Sequence, residues 1–345
     1  MVATLAHVEI GSFDPRRFES VLSPERFSEF LEAVDRAATL FAGRRIWNVN
    51  STARGGGVAE MLRSLLAYAQ GAGVDARWVV IEGSPDFFRV TKRIHNHLHG
   101  SPGDGRPLGP QEHEIYGAAL EPNAEALARI VEPKDVVILH DPQTAGLIDP
   151  MKECVAIVLW RCHVGLDTPN EIARHAWRFL DHHVGVADAH IFSRQNFVWE
   201  GLDSDKTAII PPSIDAFSPK NQELEPRVVR AILAATGLTE ERPGDEALFI
   251  RHDGTPSMVA RATTFADDEP PPPDDAKIVT QVSRWDRLKD PLGVIEGFAR
   301  HVAPELDSHL VVAGPAVEAV SDDPEGAEVL EEARLLWSRL DPAVR

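Results

Sequence analysis

The chain has 345 residues, and 43% of them are hydrophobic, which is enough to bury the cores of two α/β domains. Its 35 basic and 54 acidic residues give a net charge of −19, which repels nucleic acid and anionic membranes and predicts neither as a partner. Two cysteines offer no disulfide framework and no zinc cluster, so we expect no metal site. The amino terminus has no targeting pattern, and no run approaches the ~18 apolar residues of a membrane span. We therefore expect a cytoplasmic protein.

A helix is the first element that the sequence predicts, because Ser23-Pro24-Glu25 is typical of a helix start and apolar residues follow it at helical spacing. Runs rich in Val and Ile then alternate with helical patterns, which indicates a parallel sheet with helices on both faces. The predicted strands are Arg45 to Val49, Ala76 to Ile81, Val136 to His140, Val155 to Trp160, His190 to Ser193 and Ala208 to Ile210. A covering helix is predicted to begin near Pro169, with Thr168 as its N-cap.

Three consecutive glycines, Gly55, Gly56 and Gly57, connect the first of these strands to a helix predicted over Val58 to Gln70. Glycine lets a ligand approach the backbone closely, and the first N–H groups of a helix favour an anion. We interpret this loop as a site for a phosphate or sugar phosphate; the alternative is a tight strand-to-helix turn. The loop has neither the Gly-Lys-Ser/Thr ending of a P-loop nor the spacing of a dinucleotide fingerprint.

Polar residues stand at the ends of two further predicted strands. His163 follows one apolar run, which favours a cleft residue that hydrogen-bonds sugar hydroxyls, although a core histidine is the alternative. Asp141, beside His140, is a candidate acceptor for sugar hydroxyls, and a cap of the next helix is equally compatible with its position.

Three further histidines are candidates for a metal site, and two tryptophans are candidates for ligand stacking. His95, His97 and His99 do not share one helix face and lack a His-Glu-x-x-His pattern, so we predict a solvated or substrate-facing helix instead of a metal site. Trp160 and Trp285 border the predicted loops and are candidates for stacking on a sugar or base.

A domain boundary is predicted after Pro211-Pro212. We divide the chain into an amino-terminal Rossmann-like domain at 1–215, a connecting segment at 216–276 and a partial second Rossmann-like domain at 277–345. The connecting segment contains an acidic polyproline run, residues 267–275, which is typical of a linker or surface insertion.

The α/β pattern then restarts. The predicted elements are strand Ile278 to Ser283, helix Leu292 to Val302, strand His309 to Ala313 and helix Pro324 to Leu340. A doubly wound domain needs about five or six strands, so we expect that another chain, as in a homo-oligomer, or a longer protein completes this sheet.

The loop after Ile278 to Ser283 carries two cations, Arg284 and Lys289, at the carboxyl end of a predicted parallel strand. Ligands of open α/β sheets bind at such ends, and an Arg and a Lys together suit a diphosphate. The alternative is a solvated basic turn.

The motifs described so far resemble a known family. The segments that carry the resemblance are Asn50 to Glu60, Phe87 to Asn96, His140 to Gln143, Trp160 to His163 and Gln281 to Pro291. They are similar to trehalose synthases of the glycosyltransferring type, which belong to family 4 of the retaining glycosyltransferases and have the GT-B fold. The resemblance covers the chain from about residue 8 onward, apart from the segment 242–276.

The resemblance implies a reversible, retaining transfer of glucose from a nucleotide-diphosphate glucose to glucose, which gives trehalose. In this family the loop at Gly55 to Gly57 and the pair Arg284 and Lys289 flank the phosphates of the donor, which is a substrate, and no cofactor is expected. The matching positions that form the wall around the transferred glucose and the acceptor are His140, Asp141, Arg161 and His163. Arg284, Lys289 and His163 are the expected catalytic residues.

The sequence also departs from this family. The donor domain of this family normally contains a Glu followed seven residues later by another Glu, and the sequence to Arg345 does not supply that motif. We therefore expect a carboxyl-terminally truncated member that forms little trehalose alone. A trehalose phosphorylase-like enzyme and an inactive sugar-binding fragment are the alternatives, and the base of the donor nucleotide is left open.

Overall fold

The computed structural model describes residues 5–54, 56–154, 156–239, 246–251, 254–259, 271–273, 275–316 and 325–341. The chain forms two compact units, with the boundary between Ser213 and Ile214. The three-part division at 1–215, 216–276 and 277–345 stays a prediction. Within the described ranges, no helix combines the length and the apolar character needed to cross a membrane.

The first unit is built on a seven-stranded sheet in the order β1-β3-β2-β4-β5-β6-β7. All neighbours pair in parallel except β1, which runs antiparallel to β3. The strands are β1 (Ala6–His7), β2 (Arg45–Asn50), β3 (Asp75–Val80), β4 (Val136–His140), β5 (Ile157–Cys162), β6 (Ala189–Phe192) and β7 (Thr207–Ile209).

The predicted parallel sheet is therefore confirmed. Five predicted strands match to within one residue. β5 extends two residues further than predicted, to Cys162, and the predicted start at Val155 lies outside the described residues. The short edge strand β1 was not predicted, because two residues give no periodic signal.

The α-helices that accompany this sheet in the described part of the unit are α1 (Pro24–Leu40), α2 (Gly57–Gly71), α3 (Pro85–Leu98), α4 (Pro110–Ala128), α5 (Ile148–Glu153) and α6 (Glu171–Val184). Ser23 caps α1 through its side chain, in agreement with the predicted helix start. The predicted cap of α6 is wrong. Asn170, in place of Thr168, has extended backbone angles, and its side chain accepts the N–H of Ala173 at 2.9 Å.

Aromatic residues fill much of the core of the first unit. Trp160 on β5 is fully buried and packs edge-on against Trp199, which stacks on Trp177 of α6. Because no face of its indole is exposed, the expectation that Trp160 stacks on a sugar or base is wrong. The central strands β4 and β5 are buried along almost their whole length, as strands covered by helices on both faces are.

The described residues of the second unit form two small sheets. Its elements are α7 (Pro226–Thr236), β8 (Leu248–Ile250), β9 (Pro256–Met258), β10 (Ile278–Val282), α8 (Pro291–His301), β11 (His309–Ala313) and α9 (Gly326–Ser338). The parallel pair β10–β11 and helices α8 and α9 confirm the predicted elements, although Pro324 lies outside the described residues.

Two elements of the second unit were missed. Helix α7 and the antiparallel hairpin β8–β9 lie where only a connecting segment was expected. Most of the acidic polyproline run at 267–275 lies outside the described residues.

Asp135 anchors the amino ends of three neighbouring strands in the first unit. Its buried carboxylate accepts hydrogen bonds from Trp47 Nε1 at 3.0 Å, Glu132 N at 3.0 Å and Arg45 N at 3.2 Å, and Arg45 Nε lies 3.0 Å away. Its carbonyl oxygen accepts the N–H of Ile157 at 3.1 Å. Burial alone would raise the pKa of Asp135, but these hydrogen bonds and the charge of Arg45 lower it below its usual value.

We expect Asp135→Ala to lower the free energy of unfolding by about 3 kcal/mol, because it leaves buried donors without their acceptor and removes one of the two carboxylates that pair with Arg45. Since the folded-state pKa is depressed, this stabilisation is present above the unfolded Asp pKa of about 3.9 and is lost as the pH falls through the folded value. Urea unfolding at neutral pH and through the acid range measures both effects. Asp75→Ala, which removes a half-exposed ion pair with Arg77, is the control and should cost less than about 1 kcal/mol. Equal losses from the two variants would show that Asp135 is no anchor.

Candidate active site

The carboxyl ends of β2, β4 and β5 lie side by side at one edge of the sheet. The strand order reverses here, because β2 leads to β3 on one side while β4 lies on its other side. Ligands of open α/β sheets bind at such a switch point, outside the carboxyl ends of the strands. The residues that end or follow these three strands are therefore the candidates for a site.

Two histidines meet at this edge. His140 is the last residue of β4, and its Nδ1 lies 3.1 Å from Nε2 of His163, which follows β5. The two rings are nearly parallel, at 14°. On its other side, His140 Nε2 lies 3.1 Å from Oδ1 of Asn48 on β2. A continuous hydrogen-bonded row thus crosses from β2 over β4 to the loop after β5.

Asp141 ties the turn after β4 to β5. Its backbone has a φ of 62°, its N–H donates to the carbonyl of Arg161 at 2.8 Å, and its own carbonyl accepts the indole N–H of Trp160 at 3.1 Å. Its carboxylate accepts the backbone N–H of His163 at 2.7 Å. The alternative that Asp141 caps the next helix is wrong for its side chain, because in the described structure the carboxylate binds the chain after β5 instead.

Burial sets the charge states at this edge. It lowers the pKa of His140 well below the usual value, and the nearby His163 and Arg161 lower it further. It also lowers the pKa of His163, although the charge of Asp141 acts in the opposite sense. It raises the pKa of Asp141 in spite of the cationic neighbours. Both imidazoles are therefore neutral near pH 7 and act as hydrogen-bonding groups.

Arg161, on β5, is a buried cation at this edge. Only 8% of the residue is exposed, and its Nε has no hydrogen-bond partner among the described residues. Burial lowers its pKa, while the charge of Asp141 acts to raise it. A buried guanidinium with an unsatisfied donor is costly unless an oxygen of a ligand completes its hydrogen bonds.

The carboxyl end of α3 lies beside the same edge. The charge of His99 acts on Asp141, and His99 packs edge-on against His95 with ring centroids 4.8 Å apart. His97 is buried and faces His175, so the expectation that this helix end is solvated is wrong at that position. Among the residues that the structure describes, no cluster of His, Cys, Asp or Glu has the geometry to hold a metal ion.

The glycine loop follows β2 at the same sheet edge. Gly55 lies outside the described residues. Gly56, with φ −143° and ψ 157°, is the N-cap of α2 and has no side chain with which to cap it, and Gly57 is the first helical residue. A Cβ atom added to Gly56 or Gly57 would meet no heavy atom within 4 Å, and neither residue has a positive φ. The fold itself therefore does not require glycine at these two positions, which weakens the tight-turn alternative.

Arg284 and Lys289 lie in the second unit, in the loop after β10. Arg284 Nη2 is 3.4 Å from the buried carboxylate of Asp286, which also accepts the N–H of Leu288 at 2.8 Å. Lys289 is exposed at the end of a short 3₁₀ turn. Trp285 is half-buried, and its indole N–H donates to a backbone carbonyl after β11 at 3.1 Å. This loop is an ordered turn with its cations at the carboxyl end of β10.

The structure thus brings together four of the predicted residues, His140, Asp141, Arg161 and His163, with Gly56 and Gly57 on the same sheet edge. Arg284 and Lys289 belong to the other unit. Sequence reasoning missed Asn48 and Thr144, whose hydroxyl donates to the carbonyl of His140 at 2.8 Å. The available signal for Asn48 was a polar residue between the apolar Trp47 and Val49 in a buried strand.

The chain is similar in sequence to known proteins. Residues 48–199 match the family described as trehalose synthase, N-terminal domain. A trehalose synthase of Pyrococcus horikoshii is 33% identical over 309 residues, which cover 90% of this chain and 63% of that protein. A trehalose phosphorylase of Pleurotus pulmonarius is 28% identical over 193 residues, which cover 51% of this chain and 26% of that protein. The chain therefore spans less than two thirds of the length of these relatives.

A solved structure shares the fold. The α,α-trehalose-phosphate synthase (UDP-forming) from Burkholderia xenovorans, in complex with glucose-6-phosphate, has a TM-score of 0.57 and 12% identity, over 86% of this chain and 71% of that one. At this identity the likeness concerns the fold alone. The fold class predicted from the sequence, an α/β fold of the GT-B type, is confirmed.

We expect three variants of Asp141 to separate its two structural roles. Asp141→Asn tolerates a positive φ and keeps an acceptor for the His163 N–H, so it should cost less than about 1 kcal/mol of unfolding free energy. Asp141→Gly keeps only the backbone conformation and should cost about 1 kcal/mol, while Asp141→Ala loses both features and should cost about 2 kcal/mol. Urea unfolding at neutral pH measures the series. Equal stability of the Asn and Ala variants would contradict this account of the turn.

Proposed function

We propose that this chain, whose residues 48–199 match the N-terminal domain of trehalose synthases, transfers a glucosyl group, with retention, from a nucleotide-diphosphate glucose to glucose to form trehalose. The synthases that it resembles are glycosyltransferases, and the structural neighbour is named as UDP-forming, which supports a nucleotide sugar as the donor. The transfer is proposed as reversible, and no cofactor takes part.

One observation carries the proposal: His140, Asp141, Arg161 and His163 converge at the switch point of the sheet, beside the glycine loop. Neutral imidazoles, a carboxylate and a buried guanidinium offer both acceptors and donors at short range. Such a mixture suits a polyhydroxylated ligand, whose hydroxyl groups donate and accept hydrogen bonds.

The donor's phosphates need positive charge, since negative charge grows on the leaving group as the glucosyl becomes oxocarbenium-like. We assign this task to the N–H groups at the start of α2, after Gly56 and Gly57, and to Arg284 and Lys289 in the loop after β10. The two groups belong to different units, and each is proposed on its own evidence. Preorganised donors of this kind are worth a few kcal/mol each in comparable sites.

His163 is proposed as the catalytic residue of the first unit. Its neutral ring lies next to Asp141 and Arg161, where it can hydrogen-bond a hydroxyl of the transferred glucose without placing a second full cation near the oxocarbenium-like centre. In a retaining transfer without a protein nucleophile, the leaving phosphate accepts the proton of the attacking hydroxyl. The side chains therefore position and stabilise, and none has to form a covalent bond.

The choice of acceptor tests this function against its alternatives. We expect the purified protein to form radiolabelled trehalose from labelled glucose and a nucleotide-diphosphate glucose, detected at the level of a few turnovers and identified by its cleavage by trehalase. The same assay is run with glucose 6-phosphate as acceptor, and with trehalose plus inorganic phosphate. His163→Ala should lower product formation about 100-fold, whereas His182→Ala, at an exposed position of α6, should not change it.

The other outcomes are decisive too. Faster release of glucose 1-phosphate from trehalose and phosphate would assign a phosphorylase instead. Binding of glucose without product in every arm would assign an inactive sugar-binding protein.

We expect the affinity for a nucleoside diphosphate to depend on both proposed phosphate-binding loops, the glycine loop before α2 and the loop after β10. Gly56→Val should keep the unfolding free energy within about 1 kcal/mol, because its Cβ has open space, but should abolish binding by crowding the ligand. Arg284→Ala should weaken binding and remove on the order of 2 to 4 kcal/mol of transition-state stabilisation. Calorimetric titration with UDP and ADP measures affinity. The control is Arg287→Ala in the same loop, because the Arg287 side chain pairs with Glu332 of α9, and an equal loss there would refute a specific role for Arg284.

A further inference from the structure

The row Asn48–His140–His163 contains two hydrogen bonds, and each needs one hydrogen. His140 Nδ1 and His163 Nε2 are 3.1 Å apart, and His140 Nε2 and Asn48 Oδ1 are also 3.1 Å apart. A neutral imidazole carries its hydrogen on one nitrogen only and accepts at the other. The direction of one hydrogen bond therefore determines the direction of the next.

Asn48 sets this direction. Its side-chain oxygen faces His140, and an oxygen of an amide can only accept, so His140 Nε2 carries the hydrogen. His140 Nδ1 then has a lone pair, and the hydrogen between the two rings must come from His163 Nε2. It follows that Nδ1 of His163 has no hydrogen.

The surroundings keep both rings neutral, as this argument requires. Burial lowers the pKa of His140 and of His163. The charged groups that act on the pair are Asp141 and Arg161, and they oppose one another. Across the described residues, no protein group donates a hydrogen bond to Nδ1 of His163.

We propose that Asn48 is a positioning residue that selects the tautomers of His140 and His163, so that His163 presents an unprotonated Nδ1 as a hydrogen-bond acceptor for a ligand hydroxyl. Only the identity of the ligand rests on the proposed function. The tautomers themselves follow from the contacts of three side chains.

A purely structural role does not explain Asn48. It is 3% exposed in the middle of β2, and its Nδ2 has no hydrogen-bond partner among the described residues. An amide with one unsatisfied buried end is a cost to stability that an apolar residue of similar size would avoid. Asn50, two residues further on the same strand, differs, because its amide accepts the indole N–H of Trp78 at 2.8 Å and donates to a backbone carbonyl at 2.7 Å.

Nitrogen NMR of the protein labelled with ¹⁵N-histidine tests the tautomers directly, because protonated and unprotonated ring nitrogens have well separated shifts. His140→Gln and His163→Gln spectra assign the two rings. We expect the unbound protein to show both His140 and His163 with hydrogen on Nε2. Hydrogen on Nδ1 of His163 would overturn the proposal.

Two variants then test whether Asn48 is the cause. Asn48→Leu removes the acceptor, and the minor tautomer of His163 should rise from undetectable to a comparable share. Asn48→Asp should restore the original tautomers in mildly alkaline buffer, because a carboxylate, like the amide oxygen, only accepts. If the amide instead donated to His140 through Nδ2, the Asp variant would reverse both rings.

Asn50→Leu is the matched control, since it removes a buried amide from the same strand without touching either histidine. It should leave the tautomers of both rings unchanged. An unchanged His163 in Asn48→Leu, or an equal disturbance in Asn50→Leu, would sink the proposal. All of these readings are made without substrate, so they hold or fail independently of trehalose formation.

Discussion

The hydrogen bonds of Asp141 are the interaction on which the candidate site depends. Parallel strands β4 and β5 are paired up to His140 and Arg161, where the strand pairing ends. Asp141 continues the connection past that point, since its backbone N–H donates to Arg161 and its carboxylate accepts the N–H of His163. The left-handed backbone turns its carboxylate toward His163, and that geometry holds the two imidazoles within hydrogen-bond distance. The backbone conformation of Asp141 thereby fixes the arrangement of His140 at the end of β4 and His163 after β5.

Because the chain has a large negative net charge, a phosphate site in it needs positive groups close to the phosphate. At a net charge of −19 the average surface repels an anion, so attraction must come from fixed groups within a few ångströms, such as helix N–H groups and individual cations. The sheet edge that holds His140 and His163 differs from such a phosphate site. Its histidines are kept neutral by burial, and the charges of Arg161 and Asp141 shift the pKa of His163 in opposite directions. A site of that kind recognises hydroxyl groups by direction more than by charge.

Much of this fold was predictable from the sequence, because buried parallel strands are continuous apolar runs and their order in the chain follows from alternation with helices. The polar residues at the strand ends, such as Asp141 and His163, were visible for the same reason. The hairpin β8–β9 was not, because strands of three residues between Pro, Asp and Gly carry no periodic signal. Trp160 was misjudged, since position next to a loop says nothing about which way a side chain points. The partnership of Asn48 with His140 joins residues 92 positions apart, and only the strand pairing reveals it.

The unsatisfied guanidinium of Arg161 has a consequence for fidelity. A buried donor without a hydrogen-bond partner disfavours any ligand that lacks an oxygen at that position. Such a ligand displaces solvent but leaves the donor without a hydrogen bond. Discrimination of this type greatly exceeds what an apolar wall achieves against a guest that is one methylene smaller. If the edge binds a sugar, as proposed, it would bind a deoxy analogue that lacks the matching oxygen more weakly, and the desolvation of Arg161, already incurred in folding, would be the source of that selectivity.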